Sequence, residues 1–215
     1  MNIRIKSITP VPDKGLAWVT LILRGESAEQ YQKEKYPLLC SQLAEMGLTV
    51  GEIGAEQAER IAEASGICRA YVRGLSSLAY GDRSARELTY KLVQKGSNRA
   101  HAEAAVAMLI EAGYLREGSA ALREAEKGVA KLHSRRRVEY DLRAKGYDSG
   151  DADVQAYLDE VDFYEVCRLA LARECRHGLP EGEEQKKLYQ KMLARGFAPS
   201  ELREAFEALA EQDAQ

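Results

Sequence analysis

The sequence predicts a mainly α-helical protein: three tandem three-helix repeats forming an elongated array, preceded by a small N-terminal β-hairpin or sheet. Three observations carry that expectation. Two β-type runs open the chain, and from about residue 55 a hydrophobic period of 3.6 takes over and persists. One phrase then recurs every fifty residues: SARELTYKLVQKG from Ser84 to Gly96, SRRRVEYDLRAKG from Ser134 to Gly146, and EQKKLYQKMLARG from Glu184 to Gly196. Composition agrees, since only 5 prolines interrupt 215 residues dominated by Ala, Leu, Glu, Arg and Lys. Periods of about 20–50 residues mark stacked arrays, in which each unit gains stability from its neighbour.

The elements follow in order. IRIKSI (Ile3–Ile8) alternates apolar and polar residues, and LAWVTLIL (Leu16–Leu23) is rich in branched and aromatic ones. TPVPDKG between them suits a turn, so the pair reads as a hairpin. YPLL at Tyr36–Leu39 predicts a short third strand. A hairpin alone is marginal in water, so this sheet is expected to pack on the first helix after it. That helix, from AEQAERIAEAS onward, carries Ile67, Tyr71, Leu75 and Leu78 on one face and ends at YGD.

SARE then forms a capping-box sequence, in which Ser84 accepts a backbone N–H and Glu87 reaches back. Leu88, Leu92 and Val93 line the helix behind it, and Lys95-Gly96 stops it. Ala102, Val106 and Leu109 mark the next helix. The second copy repeats the middle helix with Val138 and Leu142, then Val154, Leu158 and Val161; the third does so with Leu188 and Met192, then Leu202, Phe206 and Leu209. The expected division is 1–54 for the sheet region, 55–115 for the first repeat with its lead-in helix, 116–161 for the second and 162–215 for the third.

With 45% hydrophobic and 30% charged residues, the chain can bury a core and stay soluble. No apolar run approaches the roughly 18 residues of a membrane span, and the N-terminus lacks a signal-peptide core, so a cytoplasmic, monomeric protein is expected. Cys40, Cys68, Cys167 and Cys175 form no CxxC pair, and His101, His133 and His177 are scattered. The cysteines read as reduced and mostly buried thiols, and neither a metal nor a cofactor is expected. Phosphate-loop, dinucleotide, HExxH and GxSxG signatures are all missing from the sequence. Acidic pairs such as Asp151 with Asp153, or Glu183 with Glu184, sit near helix starts, where the dipole favours them. The chain reads as a non-enzyme.

A net charge of -3 hides a strong asymmetry. Residues 1–66 hold 7 basic and 9 acidic side chains, residues 67–150 hold 16 and 10, and residues 151–215 hold 8 and 15. Arg135, Arg136 and Arg137 lie in the first turn of their helix, where positive charge opposes the dipole. With Arg143 and Lys145 they form the candidate partner-binding surface, suited to an acidic protein patch or to phosphates. Tyr90, Tyr140 and Tyr189 recur at or near equivalent places and are expected at the edges of the repeats, hydroxyls toward water.

A small sheet followed by three-helix repeats carrying S..EL...L..KG resembles the RecX family of bacterial regulatory proteins. The residues that carry the resemblance are LSSLAYGDRSARELTYKLVQKG (Leu75–Gly96), EAGYL (Glu111–Leu115), RRRVEYDLRAKGYD (Arg135–Asp148) and the lead-in YPLLCSQLAEMGLTVGEIGAEQAERI. The chain departs from the family pattern at Arg116–Ser119, at Ser134-Arg135 and in the third copy's loop CRHGLPEGEE. The resemblance implies a modulator of the RecA recombinase that lies along the RecA–single-stranded DNA filament. It also implies suppression of ATP hydrolysis, filament extension and strand exchange in DNA repair and recombination. A helical DNA-binding protein acting through the basic middle repeat is the alternative, and weak DNA binding fits either reading.

Overall fold

The computed structural model describes residues 2–24, 31–175 and 178–213. Among these are ten α-helices and one four-stranded antiparallel sheet in the order β3-β2-β1-β4. Strands β1 (Asn2–Val11) and β2 (Leu16–Arg24) form the expected hairpin. Its turn, Pro12–Lys14, is closed by Gly15 at a left-handed φ of 62°, which glycine adopts without strain. Strand β3 (Tyr31–Leu39) is longer than the expected YPLL. Its first half, YQKEK, is an edge strand with polar residues on both faces, so no apolar alternation announces it. Helix α1 (Cys40–Met46) and β4 (Gly51–Ile53) are too short for a periodic signal.

One face of the sheet carries Ile3, Ile5, Val19, Leu21 and Leu38, which close a core with Leu48 and with Ile61 of α2 (Ala55–Leu78). The first long helix therefore covers the sheet, as its marginal stability requires. Gln42 ties the junction: its Oε1 accepts from the Leu39 N–H at 2.9 Å and its Nε2 donates to the Ala64 carbonyl at 3.2 Å.

The buried residues of α2 differ from the expected ones and fall on two sides of the helix, Ile61, Ser65 and Cys68 on one and Ala70, Gly74 and Ser77 on the other, while Ile67, Tyr71, Leu75 and Leu78 are half-buried between them. Small residues win because α4 (Arg99–Glu111) approaches closely. A Cβ at Gly74 would lie 2.6 Å from Leu109 Cδ1, and one at Gly66 would lie 2.2 Å from His101 Cε1. The His101 ring thus rests on the helix backbone with Nε2 2.8 Å from Glu63.

The chain divides into two compact units, Met1–Asp82 with Leu88–Leu115, and Arg83–Glu87 with Arg116–Gln215. Helix α3 (Ala85–Gln94) gives its first turn to the second unit. There, α5 (Glu117–Ala130), α6 (Arg135–Lys145) and α7 (Ala152–Glu160) enclose a core that includes Ala125, Val138, Leu142, Val154 and Leu158. Helices α8 (Phe163–Glu174), α9 (Gly182–Ala194) and α10 (Pro199–Asp213) enclose another, around Val166, Leu171, Met192, Phe197 and Leu202.

The recurring phrase has a structural meaning. Each copy ends on a glycine at positive φ: Gly96 at 84°, Gly146 at 85° and Gly196 at 91°. The next residue closes the helix, with Ser97, Tyr147 and Phe197 donating N–H bonds to Leu92, Leu142 and Met192. The serine at the start of one copy meets the end of the next. Ser84 Oγ accepts from the Glu87 N–H at 3.1 Å and donates to the Lys145 carbonyl at 2.5 Å. Ser134 Oγ accepts from the Arg137 N–H at 3.2 Å and donates to the Arg195 carbonyl at 2.9 Å. Both bonds span 61 residues, and the serines are 0% and 1% exposed.

Glycine is required at each contact. A Cβ at Gly146 would meet Arg86 Cβ at 2.8 Å, and one at Gly196 would meet Ser134 Oγ at 2.7 Å; at Gly96 nothing lies within 4 Å. Glu184 stands where a third serine would be. In chemical denaturation, Ser134→Ala should lower stability by about 1–2 kcal/mol through loss of the cap and an orphaned carbonyl. Gly96→Ala should cost only about 1–2 kcal/mol for the left-handed backbone, and Gly196→Ala measurably more, because it adds the steric contact with Ser134. Equal losses at the two glycines would contradict the interlock.

Candidate partner-binding surface

Helix α6 presents the five cations that the sequence singles out. Its N-cap is Ser134, and Arg135, Arg136 and Arg137 occupy the first turn. The dipole conflict is largely relieved from within. Arg135 is half-buried and bonds Asp159 at 2.6 Å, Gln155 at 2.8 Å and Glu139 at 3.3 Å. The bond to Asp159 is the largest influence in raising its pKa above the ordinary arginine value, against the opposing effect of burial. Arg137 pairs with Asp141 at 3.0 Å, and its guanidinium carbon lies 5.5 Å from the centre of the Tyr140 ring. Asp141 also lies 3.2 Å from His133 Nδ1.

The far end of the helix is similar. Arg143 donates to Ser149 at 3.0 Å and lies 3.9 Å from Glu139, while Lys145 pairs with Glu124. Arg136 differs. It is exposed and forms no side-chain hydrogen bond or ion pair among the described residues. The same holds for Arg86, which the sequence reading did not single out. Arg86 and Arg136 stand fifty residues apart, each second in its helix and each against the terminal glycine of the following copy. Their spacing within the repeated phrase was the available signal.

The tyrosines divide. Tyr90 and Tyr140 are exposed, four residues after Arg86 and Arg136. Tyr189 is half-buried, its ring centre 6.0 Å from that of Phe206. Of the cysteines, Cys68 and Cys167 are buried, and burial pushes their thiols up to about 11 and about 12. Cys40 is exposed and Cys175 half-buried, so burial is less general than expected. His177 lies outside the described residues. Among the described residues no group of three or more His, Cys, Asp or Glu side chains could hold a metal ion, and no helix is long and apolar enough to cross a membrane.

The fold, a small antiparallel sheet and ten helices among the described residues, matches solved structures. A crystal structure of regulatory protein RecX superposes with a TM-score of 0.72 over 95% of this chain and 99% of its own, at 23% identity. A crystal structure of RecX from Lactobacillus salivarius superposes with a TM-score of 0.55 over 68% of this chain and 98% of its own, at 20% identity. The chain therefore has the RecX fold. No family model matches the sequence, and no curated protein sequence matches it either.

The geometry separates a structural arginine from an available one. Arg135→Ala removes bonds to three side chains and leaves Asp159 without its cation and Glu139 with Arg143 alone, so it should destabilise the protein by about 1 kcal/mol or more. Arg136→Ala should change stability by less than about 0.5 kcal/mol. Thermal unfolding of the two variants checks the order; the reverse order would contradict the network.

Proposed function

We infer that this chain is a RecX-type regulator that binds the RecA recombinase filament. There it restrains ATP hydrolysis, filament extension and strand exchange without catalytic chemistry of its own. The observation that carries the reading is the fold match to regulatory protein RecX over 95% of the chain. The sequence phrases that resemble the family support it, because they coincide with the serine–carbonyl interlock and so belong to the architecture. On this reading the helices from Ala55 to Asp213 form three repeats, 55–115, 116–161 and 162–215. The partner surface runs through Arg136 and Arg86, with Arg137, Arg143 and Lys145 beside them and Arg135 holding the helix in place. An acidic face on the filament is the matching chemistry.

DNA binding through the same helix is the weaker reading, because carboxylates already neutralise most of its cations. The test is RecA's ATPase on single-stranded DNA with increasing amounts of this protein. Inhibition near stoichiometric ratios is expected. Arg86→Glu with Arg136→Glu should raise the concentration needed by about tenfold, as loss and reversal of interfacial charges would. An unchanged ATPase at excess protein would refute the reading; inhibition undiminished in the double variant would clear these two arginines.

A further inference from the structure

The second face of the sheet is open, and its chemistry differs from its surroundings. Strand register sets out its rows. Arg4 stands beside Ile22, and Ile22 beside Lys33; Arg24 stands between Asn2 and Tyr31. Thr20 lies between Ser7 and Lys35, and Trp18 between Thr9 and Pro37. Lys6 is added at the β1 irregularity between Ile5 and Ser7. Arg4, Lys6, Arg24, Lys33 and Lys35 are all exposed, and none has a side-chain hydrogen bond or ion pair among the described residues.

Glu52, opposite Arg4, is the carboxylate on this face among the described strand residues, and it accepts from Asn2. Glu34 belongs to the other face, where the Tyr36 hydroxyl donates to it. Two aromatic rings stand in the open, Trp18 at 41% and Tyr31 at 67% exposure. From Trp18 to Arg24, beside Tyr31, is six strand residues, about 20 Å at roughly 3.3 Å each.

We propose that this face binds single-stranded nucleic acid, with Trp18 and Tyr31 stacking on bases and Arg4, Lys6, Arg24, Lys33 and Lys35 neutralising phosphates. Antiparallel sheets with exposed rings are stacking platforms, because every base has a π-face and the strand spacing sets the rings apart. The cations suit phosphates or another polyanion, since among the described strand residues the face provides one carboxylate against five positive charges. The rings discriminate between candidates. An acidic protein would satisfy the charges but would give Trp18 and Tyr31 no stacking partner. The face uses none of the arginines on α3 and α6.

The chain contains one tryptophan, so its fluorescence reports on this face alone. A deoxythymidine oligomer of about 12 nucleotides, added to the full-length protein without RecA, should quench Trp18 emission. Affinity should fall with salt at a slope near about -3, from about 0.7 per neutralised phosphate over most of the five cations. Lys33→Glu with Lys35→Glu should lower affinity at least about tenfold and flatten the slope by about 1.4. Trp18→Leu, followed by anisotropy of a labelled oligomer, should weaken binding about tenfold with the slope unchanged. Arg136→Glu should leave binding intact.

Circular dichroism checks that each exposed-site variant keeps its fold. No binding at low salt overturns the proposal. So does affinity that survives the Lys33/Lys35 reversal and disappears with Arg136→Glu, which would put the nucleic acid on α6. Salt-sensitive binding with Trp18 emission unchanged and Trp18→Leu without effect also overturns it, because the rings would then take no part.

Discussion

A buried serine hydroxyl has one hydrogen to give and lone pairs to receive, and Ser84 and Ser134 use both capacities at once. Each accepts a free N–H at the start of its own helix and donates to a free carbonyl at the end of another. Those are the backbone groups that a helix cannot satisfy internally. The arrangement allows little variation. A carbonyl can come within 2.5–2.9 Å of the serine only if the residue after it has no side chain, and the glycines at 146 and 196 meet that condition. The same glycines sit at φ values of 85° and 91°, so one residue type answers a steric and a conformational demand together. The two junctions are built alike, and this explains why the phrase returns at a fixed interval.

Charge is organised on a finer scale than the sums over long stretches suggest. The middle of the chain is cationic by count, yet Arg135, Arg137, Arg143 and Lys145 face Asp159, Glu139, Asp141 or Glu124. Residues 1–66 are slightly acidic by count, yet among the described strand residues their sheet shows solvent a face with five cations and one carboxylate. Glu45 lies on α1, and Glu56, Glu59 and Glu63 lie on α2, so the balance that looks neutral in sequence is spread over different elements. Surface potential follows faces, and a partner meets a face.

The same distinction marks what the sequence made legible. Helix ends were readable because a serine start and a glycine stop act through neighbours a few residues away. The other half of each bond, a carbonyl 61 residues onward, was not readable, since nothing local in Lys145 or Arg195 distinguishes an acceptor. The hairpin announced itself by alternation, whereas YQKEK in β3 did not, because an edge strand with charges on both sides has no apolar period. On α2 the large residues Ile67, Tyr71, Leu75 and Leu78 suggested the inner face, yet they are half-buried, and α4 comes closest at the glycines, Gly66 and Gly74. Size, not hydrophobicity, decided that contact. Of the five cations chosen on α6, sequence could not say which were paired, because Arg135 owes its firmest bond to Asp159 on α7.

Why Arg136 is left without a carboxylate can be traced to spacing on the helix. Arg135 and Arg137 have Glu139 and Asp141 four residues on, the separation at which side chains on a helix meet. Arg136 has Tyr140 there, and Arg86 has Tyr90. In both copies a neutral ring occupies the place where an acid would cancel the charge. Each of these arginines also stands in the first turn, where the dipole opposes it, so neither owes its position to helix stability. Both are held against glycines whose backbone the serine bonds fasten. A partner that engages Arg86 and Arg136 therefore meets cations whose backbone is already placed by buried hydrogen bonds, so that only the side chains are left to order on contact. Breaking a serine bond should then loosen that presentation even though the serine itself never touches the partner.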